Sequence, residues 1–292
     1  MISFQKFRIY INKCFIALIC LFSFVVLLPF LMLIARLVKS GLKYICLDFF
    51  TQTSPSPVDA MLANLAGEAI PGGILNGICG SLYMLTIALV LTVPLGILTG
   101  IYLYENRGKK FANLIQYLNA VCYGMPSIII GIVVYVSVVK SFHSYSVLAG
   151  GIALSISMLP KIIRTTRETL KLLPAYLKES GLALGGSYTG VILKIIMPAA
   201  KGGLLTGILI SVSRALGETV PLIVTALGCS MINWNINAPA SSMTLLIWDF
   251  FNTPNMVSMV WATSAFLFSI IICLNLIAKR IGRQWKFILY HE

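Results

Sequence analysis

Residues 179–198 read ESGLALGGSYTGVILKIIMP, and their spacing organises the reading of the whole chain. Glu179 is followed by Gly185 six residues on, by Ile195 ten residues after that, and then by Met197 and Pro198. The stretch mixes polar and apolar residues inside a chain that is otherwise membrane-like. It therefore reads as an island outside the lipid, joined to the span that follows. Glycines at 181, 185 and 186 permit close backbone approach, and Pro198 sets the entry angle of the next span. The glycines and the proline give the segment a close-packing surface and a stiff link to that span. An amphipathic surface helix with chance spacing is the plainer alternative.

The surrounding composition fixes the medium. The 292 residues are 58% hydrophobic and 11% charged. Soluble domains carry about 25% charged residues, so an ordinary soluble domain is excluded and an integral membrane protein is indicated. Phe15–Ala35 is an uncharged run, about 31 Å long as a helix, which is enough to cross the hydrocarbon core. Lys6, Arg8 and Lys13 precede it and no convincing small-residue cleavage site follows, so it predicts a retained first helix. Further spans are expected at about 78–104, 114–139, 144–163, 202–227 and 257–278. The chain thus predicts an all-α fold, a single transmembrane domain over 1–292 with six spans and a cytoplasmic loop at 164–201.

A net charge of +13 would suggest nucleic acid in a soluble protein. Here the positions of the charges decide. With the N-terminus inside, the four inside segments hold 17 of the 22 Lys and Arg residues. That asymmetry places both termini in the cytoplasm and makes a nucleic-acid partner unnecessary. The seven cysteines are scattered without a C-x-x-C pair and read as small apolar packing residues; Cys46 and Cys229 could face an oxidising compartment, unpaired by sequence.

Prolines mark places where the spans could deform. Pro94 is expected to kink the second span. Gly124-Met125-Pro126-Ser127 in the third leaves two readings open: an ordinary kink, or broken backbone that is packed in protein or lines a cavity. The fifth span carries SRALGETVP at 213–221. Arg214 and Glu218 are four apart, share a helical face and fall about halfway along that span. A lone charge at such depth costs about 2.5–3.5 kcal/mol, so the pair should face the bundle interior or a wet cavity. One reading is a buried structural pair. The other is an anion pathway in which Arg214 supplies positive potential and Glu218 holds it in place, with Thr219 adjoining. Glu218 could also accept a hydrogen bond from a protonated oxyanion.

Other chemistry is sparse. There is no G-x-x-x-x-G-K-[ST], so no P-loop for ATP, and His143 and His291 offer no zinc pattern. The dispersed carboxylates argue against an intramembrane enzyme acting on lipid head groups.

The 179–198 spacing resembles the loop of permeases in binding-protein-dependent ABC importers: E-A-A, three residues, G, nine residues, I, one residue, L-P. Glu179, Gly185, Ile195 and Pro198 match, while Ser180 and Gly181 replace the alanines and Met197 the leucine. RALGETVPLIVTALG at 214–228 is similar to the R-A-x-G-E-T-A-P-L segment of A-type permeases from phosphate importers, with Val220 in place of alanine. PGGILNGICGSL, GIYLYE, GMPSIIIGIVVY and RTTRETLKLLP extend the likeness over about 71–280. The resemblance implies a type I importer permease fold, coupling to the motor through Glu179, Gly185, Ile195 and Pro198, and a substrate pathway at Arg214, Glu218 and Thr219. It implies a second permease subunit, two ATP-binding subunits that carry ATP and Mg, and a periplasmic phosphate-binding protein, all at a bacterial inner membrane. It also implies that this chain carries no cofactor or catalytic residue of its own. Sulfate or molybdate is the alternative cargo.

Overall fold

Long apolar runs in lipid have no water to satisfy their backbone, so they close their hydrogen bonds internally as helices. The computed structural model describes residues 2–291, with side chains at Arg8 and over 11–285. Its helices, in chain order, are α1 (Ile2–Gly41), α2 (Leu47–Thr51), α3 (Pro57–Ala66), α4 (Leu75–Glu105), α5 (Lys110–Gly124), α6 (Ser127–Val134) and α7 (Lys140–Phe142). They continue as α8 (Val147–Leu172), α9 (Ala175–Ala183), α10 (Tyr188–Val191), α11 (Met197–Leu216), α12 (Val220–Ile223), α13 (Met243–Asn252) and α14 (Val257–His291). π-helical turns at Tyr135–Val139 and Ile192–Ile196 join α6 to α7 and α10 to α11. The fold is all-α; the β pairing among the described residues is an isolated parallel bridge, Leu227 to Ala240.

Among the described residues, five helices are long and apolar enough to cross a membrane, and a sixth span arises if α5 and the α6–α7 helix are one broken crossing. The bend between those halves is 103°, far more than a kink. Its cause is local. Pro126 has no N–H to give, and it pushes Met125 out of the helical region to ψ 131°. Pro94, by contrast, lies inside the uninterrupted α4. The fifth crossing runs from Tyr188 to Leu216 and stops well before residue 227.

Lipid tails give helices no hydrophobic reason to associate, so close packing carries the bundle. Gly96 and Gly100, four apart on α4, meet α8: a Cβ on either would sit 2.6 Å from Ile162 Cγ2 or 2.5 Å from Thr166 Cβ. Met84, Leu154, Met158, Ile162 and Leu222 fill the buried centre. One end of the bundle is capped by α2, α3 and α13, where Phe49, Phe50 and Phe266 pack edge to face. There the Asn76 amide, buried, donates to Cys229 O at 2.9 Å and to Ser54 Oγ at 3.1 Å. The opposite end holds α9 and α10. The central window of α1 stands free of the bundle, and Arg36 lies 5.5 Å from the Trp261 ring of α14. All seven cysteines are free thiols, Cys46 exposed and Cys229 half-buried.

Candidate functional site

Pro221 cannot donate a hydrogen bond back to Gly217, so a helix running through 217–221 would lose a bond and meet a clash. α11 accordingly stops at Leu216. The Gly217 and Glu218 N–H groups bond to Arg214 O and Ala215 O at 3.0 and 3.1 Å, tightening the last turn. Thr219 O then opens α12 by accepting from the Leu222 and Ile223 N–H groups. Arg214 therefore sits in the terminal turn of a helix and Glu218 just beyond it. The sequence expectation of a continuous helix through mid-span gives way here, because Pro221 ends it.

The four-residue spacing still brings the two side chains together, though loosely. Arg214 Nε lies 3.5 Å from Glu218 Oε1, and the side chains are 52% and 14% exposed respectively. Such a separation is long for a charge-assisted hydrogen bond. Glu218 is held from elsewhere: its Oε1 lies 3.4 Å from Ser157 Oγ on α8, and its backbone carbonyl accepts from Thr244 Oγ1 on α13 at 3.0 Å. Thr219 is half-buried and its side chain makes no cap bond. The carboxylate thus reaches Ser157 on α8 while the Glu218 backbone is tied to α13, and the half-exposed guanidinium is only loosely paired.

The two backbone breaks support one another. A Cβ on Gly131 of α6 would sit 2.7 Å from Val224 Cγ2 and 2.9 Å from Pro221 Cα. The bend at Pro126 thus lays α6 against the broken segment after α11, burying irregular backbone in protein rather than in lipid. Sequence reasoning missed Tyr123, Ser157 and Thr244. The Tyr123 ring, in the last turn of α5, lies 5.9 Å from the Arg214 guanidinium and 5.8 Å from that of Arg164. Its one sequence signal is its place just before the Pro126 break. Arg164 leads on to Arg167 and Lys171, which line a pocket of about 310 Å³ with Tyr123.

At the α9 end, Glu179 is exposed on α9 and Pro198 is exposed near the start of α11. Gly181 and Ile195 meet: a Cβ on Gly181 would lie 2.8 Å from Ile195 Cδ1 and 3.1 Å from the Val191 methyls. Gly185 serves differently from its expected role in close approach. Its φ is +82° and no atom would touch its Cβ within 4 Å, so it is there to turn the chain out of α9. Before Pro198 the helix widens into a π turn, with the Met197 N–H bonded to Ile192 O. That turn carries the helix into the proline without a stop.

α9 is fixed from behind. Lys178 pairs with Glu105 at the end of α4 and stacks 5.0 Å from the Tyr188 ring. Burial opposes the Lys178 ammonium, but the hydrogen bond and charge of Glu105 outweigh it and hold the pKa above the ordinary lysine value. Lys178 therefore stays charged through the physiological range. Leu170, Leu173, Val191 and Ile196 form the core beneath. The outer face presents Tyr176, Leu182 and Leu184, the last 90% exposed. Apolar groups left bare on a firmly seated element suit a protein contact.

Residues 92–287 match the family described as "Binding-protein-dependent transport system inner membrane component". The chain belongs to this family. Within it, the chain is 34% identical to the "Phosphate transport system permease protein PstA" of Haemophilus influenzae, covering 86% of each chain. It is 33% identical to the protein of the same name from Pasteurella multocida, covering 92% of this chain and 93% of that one. A "Probable phosphate transport system permease protein PstA" from Methanocaldococcus jannaschii is 30% identical over 94% of this chain and 93% of its own. Among solved structures, an inward-facing MetNI methionine ABC transporter superposes with a TM-score of 0.55 at 18% identity, covering 70% of this chain and 94% of that chain. A crystal structure of an amino acid ABC transporter with histidines gives 0.53 at 15% identity, covering 82% and 100%. Those structures establish the shared fold of this inner membrane component.

Proposed function

We propose that the chain is the permease subunit of an ATP-driven importer of inorganic phosphate. It works beside a second permease subunit, two ATP-binding subunits that carry ATP and Mg, and a periplasmic phosphate-binding protein. The observation that carries the reading is Arg214, charged, half-exposed and only loosely paired, in a chain about one-third identical to phosphate transport system permeases. A guanidinium with free donors offers a planar fork and a positive potential to a tetrahedral oxyanion. Glu218, its carbonyl bonded by Thr244 and its carboxylate near Ser157, lies beside that guanidinium and can accept from a protonated phosphate oxygen. Thr219 adds a hydroxyl beside them.

The coupling argument rests on continuity. Tyr188–Leu216 is one helix of 29 residues, about 43 Å long. Its first turn packs against the α9 platform and its last turn carries Arg214. When the partner subunits bind ATP and close, a push on Tyr176, Leu182 and Leu184 reaches Arg214 along a single rod. Glu179, Gly185, Ile195 and Pro198 shape the near end of that rod. With both termini in the cytoplasm of a bacterial inner membrane, as the Lys and Arg asymmetry argues, α9 faces the motor and the α13 end faces the binding protein. Choice of anion then belongs largely to the binding protein and speed to the pathway.

The test is ATP-dependent uptake of labelled phosphate by vesicles containing the complete complex, with sulfate and molybdate as competitors. Uptake that resists both competitors supports the phosphate reading. Competition by either anion moves the cargo to that oxyanion, and uptake without ATP would overturn the coupling.

A further inference from the structure

The pocket of about 310 Å³ lies between the second half of α5 and the last turns of α8. Arg164, Arg167 and Lys171 line it, with Glu168 as the lone carboxylate. Arg164 is committed to Glu168, with Nε 2.8 Å from Oε1. Arg167 and Lys171 have no ion-pair partner among the described residues. Arg167 Nε is sealed from solvent and makes no hydrogen bond. A buried N–H left without an acceptor is rare in a folded chain, because it forfeits water and gains nothing. Two uncompensated cations four apart on one helical face also repel. An anion lying against the outer Arg167 nitrogens and the Lys171 ammonium would offset that repulsion, while Nε itself is closed to a water-sized ligand. Gln116 and Asn119 stand on the α5 wall; the Asn119 amide donates to Pro160 O at 3.4 Å, and the Gln116 amide adds a neutral donor suited to oxyanion oxygens.

We infer that this pocket is a second phosphate-group site, with Arg167 and Lys171 as its charged ligands. It is not isolated from the first. Tyr123 lines the pocket and its ring also lies within 5.9 Å of the Arg214 guanidinium. An anion leaving Arg214 toward the α9 end would pass the Tyr123 edge and meet this pocket next. The inference rests on reading the chain as an oxyanion permease, and deepens it by giving the pathway two stations. The chemistry is that of phosphate oxygens, which two sources can supply: free inorganic phosphate in transit, or the head group of an anionic lipid.

The complete complex, reconstituted without its binding protein in phosphatidylcholine nanodiscs, is titrated with inorganic phosphate in an Arg214→Gln background, so that the first station is removed. Saturable binding should persist and then weaken by about tenfold or more in Arg167→Gln and Lys171→Gln, the scale of a lost charge-assisted hydrogen bond. Lys171→Arg should preserve it, and co-elution of the ATP-binding subunits should show that each variant remains assembled. In discs that also contain phosphatidylglycerol, native mass spectrometry reads whether that lipid is retained. Retention lost in the same two variants, without phosphate binding, assigns the site to a head group. Absence of both effects, or phosphate binding indifferent to Arg167 and Lys171, overturns the inference. Wild-type uptake of labelled phosphate is measured in parallel: its failure would strike the proposed function, whereas normal uptake with indifferent binding would strike this pocket alone.

Discussion

Two Arg–Glu pairs, each four residues apart, flank the ring of Tyr123, and they behave differently. Arg164 and Glu168 lie within the unbroken α8, 2.8 Å apart, with side chains 58% and 55% exposed. Arg214 and Glu218 straddle the end of α11, 3.5 Å apart, with the carboxylate 14% exposed and the guanidinium 52%. Helical spacing alone would make them twins. The backbone between their members separates them. Where the helix continues, the pair closes on itself and neutralises. Where Pro221 ends the helix, the carboxylate oxygen lies between Ser157 at 3.4 Å and an arginine held only loosely at 3.5 Å. A broken helix thus loosens a common surface pair and leaves its cation half-exposed.

Arg214→Gln gives the largest expected effect: phosphate uptake falls to background while the complex stays assembled, as uptake assays and co-purification would read. Loss of the assembled complex would instead assign the pair a structural role. Pro221→Ala should erase part of the difference between the pairs. Proline inside a helix costs about 3 kcal/mol, so its removal lets α11 extend and draws Glu218 toward Arg214. Initial uptake rates should drop by about tenfold, and unchanged rates would mean that the break is not what frees the arginine. A smaller loss is expected at the other end of the rod. Gly181→Val places methyls where Ile195 packs, and overpacking of this kind costs about 1–3 kcal/mol. Phosphate taken up per ATP hydrolysed should fall, while ATP hydrolysis itself persists. Arg164→Gln sharpens the comparison from the other side. Its partner is exposed and its pair already closed, so uptake should remain within about twofold of wild type.

Much of this was legible in the sequence, and the exceptions share a cause. The all-α fold followed from uncharged runs too long for anything else. The fixed offsets of Glu179, Gly185, Ile195 and Pro198 singled out the segment proposed to couple to the motor, and charge at membrane depth singled out Arg214 and Glu218. The apolar stretch after Leu216 reads as more span, because hydropathy registers burial and not the kind of neighbour. Here the neighbour is α6, packed through Gly131, and irregular backbone is tolerated against protein. Pro126 announced a break, but the 103° angle depends on that same contact. Tyr123 carries no motif at all; its importance comes from two arginines that reach it from separate helices. Gly185 was visible, while its left-handed φ was not.

The most direct measurement reverses the charges of the looser pair. A complex carrying Arg214→Glu together with Glu218→Arg keeps an opposite-charge pair on the same backbone but moves the half-exposed position from cation to anion. The account predicts that it assembles, hydrolyses ATP and takes up no phosphate. Restored uptake would contradict it, since a pair that works in either polarity is holding helices together and is not receiving an anion.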